Sequence, residues 1–411
     1  MDLSSWLDWI KSLHGKEIDF SLERTAQVAE ELGLLNPSCP VVTVAGTNGK
    51  GSCVAGIEAV MLAAGYQVGA FTTPFLFRYN EQVRLQGVPV GDEVLCDAFE
   101  CVAKARGSLT LTLFEFGTLA AMVIFKKAKL DLWILEVGMG GRWDAVNVID
   151  ADVAVVSNIA IDHVAWLGNT RDAISFEKAG IFRPNKPAVY GDLEPPDPLV
   201  HYANILGTPL FFQGKQFGFV EKDKSWDWWS EKTRLTGLPL PQLMLQNMST
   251  VLMSVELLQS KLPVPSIAIQ QALQKVALPG RIQVVPGEEV THILDVSHNP
   301  DAVALLARYL RKSSGAEKTH AVFSMLADKD VAETILAIQD VIDYWHVAPL
   351  TTERAASGMM LTHAFHEAKI EKVSFYKTIP DALVMARQQE NSAKKRVVVF
   401  GSFHTVAEAN V

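Results

Sequence analysis

With 411 residues the chain is too long for one ordinary hydrophobic core, and two or three domains are expected. At 49% apolar and 20% charged residues it reads as a soluble globular enzyme rather than a disordered or fibrous chain. A net charge of −9 gives no bulk attraction to nucleic acid or an anionic membrane, so any anionic ligand must be held by a local positive site. There is no transmembrane run, Met1-Asp2-Leu3 lacks the basic start of a signal peptide, and Cys39, Cys53, Cys96 and Cys101 have no metal-ligand or disulfide-framework spacing. Neither a nucleic-acid nor a membrane partner is expected, and a reducing cytoplasm fits.

In chain order, residues 4–36 predict one or two amphipathic helices, with Trp6, Trp9, Ile10 and Leu13 on one face packed against the first strand. Ile18-Asp-Phe-Ser21 interrupts that pattern as a loop that could contact a ligand. Residues 41–44 predict a buried parallel strand that stops in Gly46-Thr-Asn-Gly-Lys-Gly-Ser52. Three glycines permit the positive φ that lets backbone N–H groups converge on an anion. Lys50 supplies an ammonium for β/γ-phosphates, and a helix begun near Ser52 points its positive end at them. Unlike the common P-loop, Gly51 follows the lysine and the hydroxyl waits until Ser52. A second strand, 68–72, ends in Thr73-Pro74, where the hydroxyl either caps the strand or holds Mg²⁺.

A buried strand, 130–137, ends in Glu136-Val-Gly-Met-Gly-Gly-Arg-Trp-Asp144. A carboxylate at that position suits Mg²⁺ coordination, whereas the glycines lack the spacing of a dinucleotide fingerprint. Strand 153–157 leads to Asp162-His163, a metal-ligand candidate at a third strand end. Helix to Gly180 carries Glu177-Lys178, and 187–190 is a further strand. Residues 191–245 read as a peripheral excursion with short β-like pieces, its Trp226, Trp228 and Trp229 serving packing. Residues 246–276 read as helical and end at Leu278-Pro-Gly-Arg281. A fresh α/β alternation, with strands at 292–296, 320–325, 344–348, 373–376 and 396–401, places a second domain at 285–411 and the first at 1–284. Asp295-Val-Ser-His298-Asn-Pro300 crowns its first strand, which predicts an active site in the cleft between the domains.

Together these motifs, with Glu177-Lys-Ala-Gly-Ile-Phe182 and Gly401-Ser-Phe-His404, resemble folylpolyglutamate synthase, specifically the bacterial bifunctional dihydrofolate synthase form, nearly end to end. That family and the related Mur ligases use Gly-Lys-Gly-Ser/Thr, which accounts for the delayed hydroxyl. The resemblance implies an α/β fold: an N-terminal P-loop ATPase domain with a mostly parallel sheet, and a smaller C-terminal Rossmann-like domain. It implies an ATP-dependent amide ligase that makes an acyl phosphate and captures it with L-glutamate, the acceptors being dihydropteroate and reduced folates. By the same resemblance Thr47, Asn48, Gly49, Lys50, Gly51, Ser52, Asn247, Arg281 and Asp295 contact ATP, and Thr73, Glu136 and His163 hold two Mg²⁺ ions. Ile18, Asp19, Phe20 and Ser21, with Thr112, Leu113, Phe114 and Glu115 and with Trp143, Asp144 and Ala145, line the pterin pocket. Asp295, His298 and Ser402 face glutamate, and Lys178 is carbamylated. A monomer acting on small molecules is expected.

Three positions depart from the family pattern: Phe75 replaces a histidine, Gln82 an arginine and Val146 a threonine, which bears on the folate pocket and not on the ATP site. A Mur ligase for a nucleotide-sugar substrate would need an extra N-terminal domain of about a hundred residues. With the phosphate loop at residue 46 there is no room for one. A non-catalytic nucleotide-binding regulator would leave the polar edge of the second domain dispensable.

Overall fold

Five consecutive buried residues, Val41–Ala45, form β1, which sits within an eight-stranded sheet. A strand buried on both faces reads as a continuous apolar run, as here. The structure is a computed structural model that describes residues 1–287, 290–313, 318–388 and 395–411. It divides into two units, Met1–Val276 and Ala277–Val411. That division precedes the 284/285 boundary expected from the α/β alternation of the sequence. Leu278-Pro-Gly-Arg281 belongs with the second unit, where the Gly280 carbonyl accepts from Val296 N at 2.9 Å.

In the first unit β2 (Val68–Phe71), β3 (Val83–Leu85), β4 (Val88–Pro89), β5 (Leu132–Glu136), β6 (Val153–Val156), β7 (Ala188–Tyr190) and β8 (Leu210–Phe212) join β1 in the order β4-β3-β2-β5-β1-β6-β7-β8. The six strands from β2 to β8 are mutually parallel, and β3 and β4 add antiparallel. A small antiparallel sheet of β9 (Phe217–Glu221), β10 (Ser225–Ser230) and β11 (Arg234–Pro239) buries Trp226 and Trp228 completely, so those rings serve packing.

The helix Leu3–Leu13 packs on the helices Asp92–Ala105 and Leu113–Ala128 rather than on the first strand. Its rings find aromatic partners there: Trp6 meets Phe99 at 6.0 Å and Trp9 meets Phe116 edge-on at 6.2 Å. The stretch read as helical over 246–276 is two helices, Leu245–Leu258 and Ser266–Lys275, parted by a segment with prolines at 263 and 265.

The second unit carries β12 (Gln283–Val285), β13 (Val290–Leu294), β14 (Lys318–Phe323), β15 (Tyr344–Val347), β16 (Val373–Phe375) and β17 (Lys395–Phe400) in the order β12-β13-β17-β14-β15-β16. All neighbours are parallel except β12, which pairs antiparallel with β13. Among the described residues no helix is long and apolar enough to cross a membrane. The cysteines are free thiols.

Candidate active site

After β1 the backbone turns through Gly46 and Gly49, both at positive φ (142° and 84°). A Cβ at Gly46 would collide with the Ser157 hydroxyl, and one at Gly49 would lie 2.6 Å from Asn247 Oδ1. Gly49 caps the helix Lys50–Ala63, which starts two residues before Ser52 and aims its positive end at the loop.

The segment after β6 braces this loop. Thr47 N donates to Asn158 O at 3.0 Å, Asn48 N to Asn158 Oδ1 at 2.8 Å, and Ser157 Oγ to Asn48 O at 2.6 Å. The Thr47 hydroxyl donates to Ala160 O at 3.0 Å and accepts from Ala160 N at 3.1 Å. Ser157 and Asn158 were not singled out in the sequence. Their sole signal is position, since β6 lies beside β1 in the sheet.

Gly46, Thr47, Lys50, Val137, Gly138, Met139, Gly140, Asp162, His163, Leu167 and Lys178 line one cavity at these strand ends. Two ammonium groups share one carbonyl in it: Lys178 Nζ donates to Gly46 O at 2.9 Å, and Lys50 Nζ to the same oxygen at 3.1 Å. Burial, then the charge of Lys50, pushes Lys178 down to about 7, against the pull of Asp162 and Asp144. Burial raises Asp144 to about 7 although Met139 N and Val146 N donate to it at 3.0 and 3.1 Å.

Thr73 and Glu136 come together, Thr73 N donating to Glu136 Oε2 at 3.2 Å, and Glu136 precedes cavity-lining Val137. His163 adopts a left-handed backbone, its N–H donating to Asp162 Oδ1 at 2.7 Å. Among the described residues no three His, Cys, Asp or Glu side chains gather as a metal cage. A buried carboxylate beside a phosphate-type loop nevertheless fits a hard divalent ion, which typically takes one or two carboxylates and completes its shell with phosphate oxygens and water.

The expected pterin residues divide. Thr112 and Glu115 form a capping box at the start of the helix Leu113–Ala128, with Thr112 N donating to Glu115 Oε2 at 2.7 Å. Glu115 Oε1 accepts from Arg24 Nη2 (2.9 Å) and Thr25 Oγ1 (3.1 Å). Arg24 Nη1 also donates to Asp19, which pairs with His14, so the 18–21 loop is wired to that helix start. The rings stay available: Phe20 meets Trp166 edge-on at 5.4 Å, Phe114 packs at Gly138, and Trp143 and Phe75 are exposed. Of the departures, Gln82 and Val146 are buried, while Glu81 orders the 76–78 backbone by accepting from three N–H groups.

In the second unit Asp295 follows β13 and is buried, accepting from Ile282 N at 2.7 Å, from Ser297 N at 2.9 Å and from the Ser297 hydroxyl. Ser402 is buried as the N-cap of the helix Phe403–Ala409, its hydroxyl accepting from Thr405 N at 2.9 Å. His298 Nδ1 lies 2.9 Å from Val296 O, and the Arg281 guanidinium stands 4.8 Å over the Phe403 ring.

A phosphate loop on a parallel sheet, followed by a second α/β unit, defines the Mur-type class of ATP-dependent ligases. Residues 44–191 match the Mur ligase middle domain, and residues 280–403 the Mur ligase glutamate ligase domain. The chain is 41% identical over 406 residues to the dihydrofolate synthase/folylpolyglutamate synthase of Escherichia coli strain K12, covering 98% of this chain and 94% of that one. The Bacillus subtilis strain 168 enzyme of the same name is 28% identical over 435 residues, covering 99% and 97%. Among solved structures, E. coli FolC in complex with DHPP and ADP superposes with TM-score 0.94 at 40% identity, covering 99% and 96%. A bifunctional folylpolyglutamate synthase/dihydrofolate synthase with Mn, AMPPNP and L-glutamate bound gives 0.92 at 42%, covering 99% and 97%. The chain belongs to the dihydrofolate synthase/folylpolyglutamate synthase family, and its activity is ATP-dependent glutamate ligation in folate metabolism.

Proposed function

We propose that one site serves both ligations, glutamate onto dihydropteroate and glutamate onto the γ-carboxylate of a reduced folate. A carboxylate oxygen attacks the γ-phosphorus of ATP and ADP leaves. The glutamate amine then attacks the acyl carbon, phosphate leaves, and the nitrogen gives up its extra proton. The carrying observation is the strand-end cavity in which the phosphate loop, Lys50 and Lys178 converge.

In this reading Lys50 and the loop N–H groups of residues 47–52 hold the triphosphate, with Asn247 against Gly49. Arg281 and Asp295 complete the ATP contacts; Asp295, His298 and Ser402 receive glutamate. Thr73, Glu136 and His163 hold two Mg²⁺ ions. When bound, the ions neutralise charge developing on the transferred phosphoryl group. Phe20, Phe114, Trp143 and Asp144 offer the pterin ring apolar walls and one polar contact. With Thr112 and Glu115 committed to their capping box, this wall rests mainly on the rings.

Lys178 enters as a carbamate. An amine held near 7 is substantially neutral at neutral pH, and its lone pair can form the N–C bond to CO₂ with loss of one proton. The product turns a buried, partly protonated amine into an anionic oxygen donor, replacing repulsion by Lys50 and any nearby Mg²⁺ with attraction. The same reading takes the protein to act as a monomer on small-molecule substrates in the cytoplasm, its net charge of −9 giving no bulk attraction to nucleic acid or an anionic membrane.

The test is competition. Dihydropteroate and tetrahydrofolate are each expected to inhibit ligation of the other competitively, with Ki equal to its own KM. Failure of the two acceptors to inhibit one another would overturn the single site.

A further inference from the structure

The cavity side of Lys178 explains what its amine touches, but not what fixes the helix that carries it. That helix, Arg171–Ala179, is only nine residues long, so its end must be located by the chain it meets. The chain it meets is the segment 141–147, and the approach leaves almost no slack. A Cβ on Gly141 would lie 2.9 Å from Glu177 O and 3.0 Å from Lys178 O, and one on Gly180 would collide with Arg142. Arg142 N donates to Glu177 O at 2.9 Å. The Arg142 guanidinium lies 4.1 Å over the Phe176 ring and donates to Phe176 O.

Asn147 joins these two backbones. It is buried, and its Nδ2 donates to Arg142 O at 2.9 Å on one segment and to Gly180 O at 3.1 Å on the other. Its Oδ1 accepts from Arg183 Nη2 at 3.0 Å, and the same nitrogen donates to Asn147 O at 2.9 Å. Three of the amide's hydrogen-bonding positions are thereby used, and one of the two Nδ2 acceptors, Gly180 O, lies two residues past Lys178 at the end of its helix. We propose that Asn147 is a positioning residue for Lys178: its amide rivets the end of the lysine-bearing helix to the segment that directly follows the cavity-lining residues 137–140, and so sets where the Lys178 amine, or the group it becomes, can sit.

The inference rests on the reading of Lys178 as the carbamylated residue. Its consequence is specific: loosening Asn147 misplaces Lys178 and its bond to Gly46 O, while the phosphate loop keeps its braces from Ser157, Asn158 and Ala160. The variant to make is Asn147→Asp. Its carboxylate still accepts from Arg183, which favours folding, but it has no N–H to offer Arg142 O and Gly180 O and sets a negative charge against both.

The full chain is equilibrated with ¹³C-bicarbonate, and the carbamate carbon signal is recorded by NMR for wild type, Asn147→Asp and Lys178→Ala. ADP affinity and steady-state ligation are measured alongside. The expected result is a carbamate signal in wild type, none in Lys178→Ala, and a signal lost or sharply reduced in Asn147→Asp. In that last variant kcat falls about 10–100-fold, as typically follows loss of a residue that orients a site ligand, while ADP affinity and KM for ATP hold. Should Asn147→Asp fail to fold, Arg183→Lys, which removes the Nη2 bonds to Asn147 O and Oδ1 and the Nη1 bond to Gly180 O while leaving the Asn147 amide in place, is expected to give the same split to a smaller degree. A normal signal and normal kcat in a folded Asn147→Asp or Arg183→Lys overturn the inference alone. A wild type with no carbamate signal, together with full activity of Lys178→Ala, overturns the reading of Lys178 and the inference with it.

Discussion

At the carboxyl edge of the first sheet, titratable side chains are buried around a cavity and displaced from their ordinary ionisation. At the same edge of the second sheet they are tied down by backbone. Lys178 and Asp144 both sit near 7, one pushed down and the other up by burial. Asp295 instead accepts from two backbone N–H groups and a hydroxyl, and Ser402 is a helix cap. The first edge holds charge where a reaction can use it, and the second holds shape. Two α/β units with similar strand-end polar residues can therefore serve catalysis by different means, and residue type alone does not separate them.

The largest expected effect breaks the first edge. Lys50→Ala should lower kcat for both acceptors by at least about 10²–10³-fold, the range seen when one preorganised charge or donor is removed from a transition state. Its thermal midpoint should stay at the wild-type value, because a loop lysine whose amine donates to loop carbonyls adds little to the fold. Turnover that survives at saturating ATP would dissolve the contrast.

Asp295→Asn should, unlike Lys50→Ala, cost the second unit stability in addition to the ATP and glutamate contacts proposed for it. An amide cannot accept at both oxygen positions, so Ile282 N or Ser297 N loses its partner, at a cost of about 2–3 kcal/mol. Ile282 also stands at φ 44°, a left-handed backbone that the carboxylate helps to hold. Denaturant titration reads the loss; unchanged stability with abolished ligation would mean that Asp295 acts chemically rather than as a brace.

A smaller effect sharpens the comparison through pH. His346 is buried, its Nε2 3.0 Å from His320 Nδ1 and its Nδ1 3.2 Å from Tyr376 Oη. Burial, then His320, pushes it down to about 4. The unfolded chain takes this proton near 6.5, so between 6.5 and about 4 the unfolded state binds more protons and stability falls as pH is lowered. From pH 7 to 5 the second unit should lose about 2 kcal/mol through this group. His346→Gln should flatten that slope in denaturant titrations at the two pH values; an unaltered slope would assign the acid sensitivity elsewhere.

What was legible in the sequence was local. Gly46, Gly49 and Lys50 announce a phosphate loop because backbone conformation and charge are encoded within a few residues. The buried runs of β1, β5 and β6 announce strands for the same reason. Strand adjacency was not legible, and that adjacency brings Ser157 and Asn158 under the loop. Asn147 drew no attention because the carbonyls it joins belong to residues 142 and 180. Thr112-Leu-Phe-Glu115 carries its own signal, the Thr-x-x-Glu spelling of a capping box, which states how the helix starts and not what its outer face meets. The Trp6 helix was set against the wrong partner because an apolar stripe states that a face is buried and not by what.

The wiring of the 18–21 loop bears on the speed of capture. Asp19 is held by His14 and Arg24, and Arg24 reaches Glu115 at the start of the helix Leu113–Ala128. The conformational entropy of that loop is therefore surrendered when the chain folds, and in the proposed reading a pterin ring arriving against Phe20 meets a wall already set. Association there should be governed by diffusion and desolvation, with residence time rather than loop ordering distinguishing one pterin from another.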